Sequence, residues 1–238
     1  GTSDANDAVT LVGQGFVQQP APTPTPVQCA LTAGKAYKEA GSKAIWYITS
    51  QCTKRPFNNP RVFFTYFSSW NDVLTTTKEM LAKVPTDGLG FMPWGPSYDP
   101  QYGALVKIVN DPKVYLLLGT KRHWITSEGV FTALKYAWTW IEDVSQELLD
   151  KYESAGEITS TTEHPAYTLI KYKNSNKVYR LEPDASNPGR VVRRHVKDEA
   201  TFESLDYRWD RIVTVDEAEQ YTDGDQIDYS KKIYIRAR

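Results

Sequence analysis

The apolar residues of this chain fall into a pattern that occurs three times. Phe63, Phe131 and Phe202 each precede a tryptophan by seven residues: Trp70, Trp138 and Trp209. Three after each phenylalanine stands Tyr66, Leu134 or Leu205, and three after each tryptophan stands Val73, Ile141 or Ile212. Spacings of three and seven gather such side chains on one helical face, which predicts a helix burying both Phe and Trp. Four before each phenylalanine sits Asn59, Ser127 or Asp198, all N-cap types. Pro60, Glu128 or Glu199 follows and suits a first turn.

A second pattern precedes each helix. Lys38, Lys107 and Lys171 are followed eight residues later by Trp46, Tyr115 and Tyr179, each after a β-branched residue. In the middle copy, residues 104–108, 113–118 and 121–125 read as three strands, with Asn110-Asp111-Pro112 and Gly119-Thr120 as turns. The third copy has a longer hairpin over residues 182–189. A shorter helix such as residues 145–149 follows, and Gly88, Gly156 or Gly224 closes the unit. The fold class is therefore α+β. Three tandem repeats of about 65 residues each form a small antiparallel meander with one or two helices. The boundaries fall at 29–102, 103–166 and 167–238.

Residues 1–28 differ. An apolar, β-prone stretch carrying Val9, Leu11, Phe16 and Val17 precedes Pro20, Pro22, Pro24 and Pro26, which alternate with Ala and Thr. Alternating prolines give an extended, semi-rigid spacer. A strand on such a leash suits addition to a sheet edge of another copy of the chain. Residues 232–238 also read as a strand.

Leu105-Val106-Lys107, Asp111-Pro112-Lys113-Val114-Tyr115 and Arg122-His123-Trp124-Ile125 resemble an uncharacterised repeat of secreted cell-surface proteins of poorly cultured bacteria. Those repeats run L-V-K, P-K-V-Y, K-R-x-I, a T-F helix and a W-x-x-V ending. Arg193-Arg194-His195-Val196, Glu199-Ala200-Thr201-Phe202 and Tyr207-Arg208-Trp209-Asp210 match as well. The first copy departs at Pro56-Phe57 and Cys52. The resemblance spans roughly residues 35–229 and implies an exported, cell-surface setting without assigning a reaction.

Charge and cysteines refine this picture. Among 238 residues, 28 Lys+Arg oppose 29 Asp+Glu, which argues against a nucleic-acid binder. No apolar run reaches the roughly 18 residues of a membrane span. Cys29 and Cys52 lack zinc-ligand spacing, leaving two buried thiols or a disulfide as readings. A disulfide would close a loop of about 24 residues, contribute roughly 3 kcal/mol and place the protein outside the reducing cytosol.

No phosphate-loop, serine-elbow or zincin motif occurs, so no catalytic residue, cofactor or metal is expected. His123 and His195 follow basic pairs, but Pro56 stands at the corresponding place in the first copy, which defeats a repeated catalytic histidine. The basic pairs Lys54-Arg55, Lys121-Arg122 and Arg193-Arg194 admit two roles. Arg55, Arg122 and Arg194 with Trp124 form a candidate platform for sugars or anionic wall polymer. Alternatively, arginine stems cover the core while their heads pair with carboxylates, which the core-like spacing of the aromatics favours. Two functions follow: an extracellular structural subunit that polymerises through its N-terminal strand, or a cell-wall or glycan-binding module.

Overall fold

The computed structural model describes residues 29–100 and 102–228. It is a mixed α+β structure with three sheets of four, five and five strands. The first comprises β1 (Ala36–Glu39), β2 (Trp46–Ile48) and β3 (Lys54–Pro56), then α1 (Pro60–Phe63), β4 (Val73–Thr76) and α2 (Lys78–Ala82). The second comprises β5 (Leu105–Ile108), β6 (Tyr115–Leu118), β7 (Lys121–Ile125), α3 (Glu128–Ala133), β8 (Glu142–Val144), α4 (Gln146–Leu149) and β9 (Glu153–Ile158). The third comprises β10 (Leu169–Tyr172), β11 (Val178–Asp184), β12 (Asn187–His195), α5 (Glu199–Ser204), β13 (Val213–Val215) and β14 (Thr222–Asp223).

The three sheets share one register. Tyr37 pairs with Trp46, Val106 with Tyr115 and Ile170 with Tyr179 across the first antiparallel pair. After the helix, a strand returns parallel to the first: Tyr37 lies opposite Leu74, Val106 opposite Glu142 and Ile170 opposite Val213. This parallel strand converts a meander into a crossover unit, and the sequence patterns do not announce it. The N-caps are as the sequence implies. Asn59, Ser127 and Asp198 accept from the backbone N–H groups of Val62, Val130 and Thr201 at 3.0, 3.2 and 2.8 Å.

The predicted helical face is wrong in its second half. Each helix ends within two turns, and in the second and third sheets Lys135 (φ 54°) and Asp206 (φ 55°) turn the chain through the left-handed region. The phenylalanine is therefore buried (0, 1 and 1 % exposed), whereas Trp70, Trp138 and Trp209 start a separate 3-10 turn and are 48, 53 and 49 % exposed. Each indole lies on its phenylalanine, with centroids 4.5, 4.2 and 3.9 Å apart and planes within 24°. The tryptophans are lids on the core rather than members of it.

Successive strand residues point to opposite faces, and the second and third sheets use this to share two cores. Leu105, Leu116 and Leu118 pack with Phe131 on one face, together with Ile170, Leu181, Val213 and Val215 of the third sheet. Val106, Leu117 and Val144 on the other face pack with Leu169 and Phe202. Each helix thus covers its own sheet's front, and the back of the neighbouring sheet completes its core. His164 fastens the pair: its Nε2 donates to the Leu134 carbonyl at 2.7 Å, while Nδ1 lies 2.6 Å from the Glu219 carboxylate. The first sheet has a smaller core of Leu31, Tyr37, Ile48, Leu81 and Val84. There the Cys29–Cys52 disulfide (Cα–Cα 5.4 Å) ties the entering chain to the β2–β3 turn. The assembly strand read at Val9, Leu11, Phe16 and Val17 and the strand read at residues 232–238 lie outside the described residues.

Two measurements check this account. Phe131→Ala should cost about 3–5 kcal/mol in urea unfolding, as for other buried aromatics. Trp138→Ala should cost less, about 2 kcal/mol, because only about half of the indole is buried and the ring pair adds about 1 kcal/mol to that burial. The second concerns Glu219. Burial alone raises its carboxyl, but hydrogen bonds from His164 and Tyr221 outweigh burial and hold it below the usual range. The stability it contributes is therefore present above the ordinary glutamate pKa near about 4.3 and lost as pH falls through the depressed value. The stability gap between wild type and Glu219→Gln should be full at neutral pH and shrink on acidification.

Candidate functional site

The basic residues are used within their own units. Each second-strand aromatic has a cation at the diagonal position across the β-hairpin on the same face: Lys54 over Trp46, Arg122 over Tyr115 and Arg193 over Tyr179, at 5.6, 5.8 and 5.1 Å. The Lys54 ammonium donates to the Leu81 and Val84 carbonyls at 2.8 and 2.6 Å, and Arg122 donates to the Leu149 carbonyl at 2.8 Å. These cations thus satisfy carbonyls at the ends of α2 and α4. Arg55 is buried and donates to the carbonyls of Gly90, Leu89 and Phe91. Arg194 donates to the Asp225 carbonyl and to Glu182 at 2.7 and 2.6 Å. Of the four platform residues, Arg55, Arg122 and Arg194 anchor returning backbone or carboxylates, and Trp124 alone lines a groove.

Strand pairing also corrects the alignment of the histidines. Tyr115 faces Trp124, Tyr179 faces His195 and Trp46 faces Pro56, so Trp124 and His195 are equivalent. His123 corresponds instead to Arg55 and Arg194. The basic pair sits one residue earlier in the second sheet, where His123 takes the place of the second arginine. Counting nine residues back from Phe63, Phe131 and Phe202 gives Lys54, Arg122 and Arg193.

Two grooves occupy equivalent positions. The first, about 480 Å³, is lined by Lys113, Trp124, Ser127, Glu128, Phe131 and Trp138. The second, about 460 Å³, is lined by the matching Lys177, His195, Asp198, Glu199, Phe202 and Trp209. Burial and Lys177 hold the His195 imidazole below its ordinary pKa, favouring its neutral form. In each groove the hairpin turn supplies the lysine and the helix start the carboxylates, while the exposed tryptophan forms the apolar wall. Ser127 and Asp198 are engaged as caps. Among the described residues, the Glu128 and Glu199 carboxylates and the two indole N–H groups have no hydrogen-bond partner.

A larger cleft, about 710 Å³, lies where the first and third sheets meet the segment joining the first two. Its walls include Arg61, Trp94, Tyr98, Tyr102, Tyr207 and Trp209. The connecting segment is pinned twice. Trp94 pairs with Val144 at the edge of β8, and the Gly95 N–H donates to Thr65 Oγ1 at 2.7 Å. A side chain at Gly95 would put Cβ 2.5 Å from the Tyr66 ring, so only glycine fits there. Behind the cleft, Glu142 accepts from Tyr98, Tyr102, Arg208 and Arg211. Arg208 also forks onto Asp210 at 3.0 and 2.6 Å, which holds the Asp210 carboxyl below its usual value. Trp209 therefore faces both a groove and the cleft.

No protein-family model matches the chain, and no curated protein does. A search of solved structures finds a likeness to the periplasmic assembly from the ESX-5 inner membrane complex (C1 model), with 12 % identity and a TM-score of 0.20. It covers 91 % of this chain and 63 % of that one.

The cationic anchors carry a test of their own. Arg55→Gln should lower stability by about 2 kcal/mol, in keeping with lost charge-assisted hydrogen bonds, and leave ligand binding by the folded protein unchanged. Weaker binding with unaltered stability would return Arg55 to the candidate platform.

Proposed function

We propose that this protein is a non-enzymatic glycan-binding module of the cell exterior, built from tandem repeats of about 65 residues behind a proline-rich linker. The observation that carries the reading is the exposed indole held flat on a buried phenylalanine in all three units. An isolated exposed tryptophan is unremarkable. Three in one geometry, each fixed by the ring beneath it, form flat apolar platforms that need no reordering to receive a ligand. A pyranose ring with equatorial substituents offers such a platform a face of C–H groups. Its hydroxyls can both accept from an indole N–H and donate to a carboxylate, and both groups stand unpaired in the grooves.

The setting agrees. A disulfide belongs to chains that mature in oxidising surroundings, and the repeat resembles those of exported surface proteins. No helix among the described residues is long and apolar enough to cross a membrane.

The test is co-sedimentation with insoluble chitin and with isolated cell wall, backed by calorimetry with the N-acetylglucosamine hexamer. Wild type should bind the hexamer with Kd on the order of 10–100 μM, about −7 to −5.5 kcal/mol. Trp138→Ala should weaken binding several-fold in protein that remains folded, with a smaller loss of stability than Phe131→Ala. Polymerisation through the N-terminal strand enters as the competing outcome: oligomers by light scattering that lack glycan affinity would favour the structural-subunit reading.

A further inference from the structure

The two equivalent grooves do not share one surface of the protein. Leu105 and Val106 are neighbours on β5 and point to opposite faces of the second sheet. The first packs in the cluster that holds Phe131, the second in the cluster that holds Phe202. Leu116 and Leu117 on β6 divide the same way, as do Leu169 and Ile170 on β10 with the assignments reversed. Phe131 and Phe202 therefore lie on opposite sides of the second sheet. Trp138 and Trp209 each stack directly on one of them, so each groove stands over a different core.

The connection between the two sides is stiff. Both cores contain side chains from both sheets, so neither unit can rotate without opening a core. Polar ties reinforce this. They are His164 between the Leu134 carbonyl and Glu219, Lys135 with Asp216 at 2.6 Å, and Glu142 with Arg208 at 2.9 Å and Arg211 at 3.3 Å. Two sites held rigidly back to back cannot both engage one short, straight oligomer. They are placed to engage two separate chains.

We infer that the second and third units together form a divergent, two-site receptor that bridges two linear polysaccharide chains, one in each groove. This rests on the glycan-binding reading and adds stoichiometry and architecture to it. The polar composition of the grooves favours a glycan over a second copy of this chain. Each groove sets a lysine, a glutamate and an indole N–H, the last two without a hydrogen-bond partner, beside an exposed tryptophan, and in the first groove Lys113 also lies 5.2 Å from the centroid of the Trp124 ring. A hydroxyl-rich ligand answers all three, whereas an apolar protein face would strand the glutamate without a partner.

The experiment is a sandwich capture in the Trp70→Ala background, which removes the platform of the first unit. Full-length protein is loaded on chitin beads, washed, and offered a soluble fluorescent N-acetylglucosamine hexamer. Protein with both grooves should retain the hexamer near one equivalent per bound chain, and calorimetry in solution should give two sites per chain. Adding Trp138→Ala or Trp209→Ala should leave binding to the beads and lower hexamer capture at least tenfold. Adding both should abolish bead binding. Bead binding without hexamer capture, or single variants that still capture, would overturn the bridging inference and leave glycan binding intact. Absence of bead binding by folded protein would overturn the glycan reading itself and the inference with it. Hexamer capture that scales with protein self-association in light scattering would assign the second site to another copy, and would also refute bridging within one chain.

Discussion

The stacked phenylalanine–tryptophan pair is the contact on which each unit is built. Its phenylalanine is the deepest side chain of a helix too short to be stable alone, and it holds that helix against the sheet. Its tryptophan opens the next turn, from which the chain returns as a strand parallel to the first. The buried phenylalanine carries most of the stability, and the half-exposed indole stacked on it marks where the helix gives way to the returning strand. The same contact makes the indole a rigid surface. Burying one ring and exposing the other joins stability and, in the proposed function, recognition in two residues, seven positions apart.

Units two and three extend this logic by sharing cores. A five-stranded sheet of two- to nine-residue strands has too little apolar surface to bury on its own, and small modules are marginal for that reason. Giving each sheet's back to its neighbour's helix solves the problem for both. It also sets the two tryptophan platforms on opposite sides of one rigid body. The first unit stands apart with a smaller core, and there a disulfide supplies the constraint that a partner sheet supplies elsewhere. The connecting segment from Trp94 to Tyr102 joins the parts by pairing with β8 and donating to Glu142.

Much of this was legible in the sequence. The strands around Tyr115 and Lys121, the N-caps Asn59, Ser127 and Asp198 and the buried Phe63, Phe131 and Phe202 are all where composition and spacing put them. The reading failed where one period was carried too far. A spacing of seven fits a helix of two turns, but Lys135 and Asp206 interrupt it in left-handed conformations that sequence alone does not mark, and the tryptophans emerge. The parallel strand after each tryptophan is only three or four residues long, too short to stand out, and in the second unit Glu142-Asp143-Val144 is not conspicuously apolar. Glu142 is charged because it gathers four donors from elsewhere in the chain, a property of the tertiary fold. The basic pairs admit two roles in the sequence for a related reason. Arginines beside aromatics read alike whether they face a ligand or the carbonyls of Leu89, Gly90 and Phe91. The grooves needed the structure, since hairpin turn and helix start meet only after folding.

Trp138 and Trp209 are exposed rather than core residues, and the proposed function makes them recognition surfaces. Brief oxidation with N-bromosuccinimide, followed by peptide mass mapping, reads each tryptophan separately. In free protein, Trp138 and Trp209 should oxidise readily, and saturating N-acetylglucosamine hexamer should slow both while leaving the global fold unchanged. Resistance of both residues in the free monomer, or oxidation that the hexamer does not slow, would contradict it.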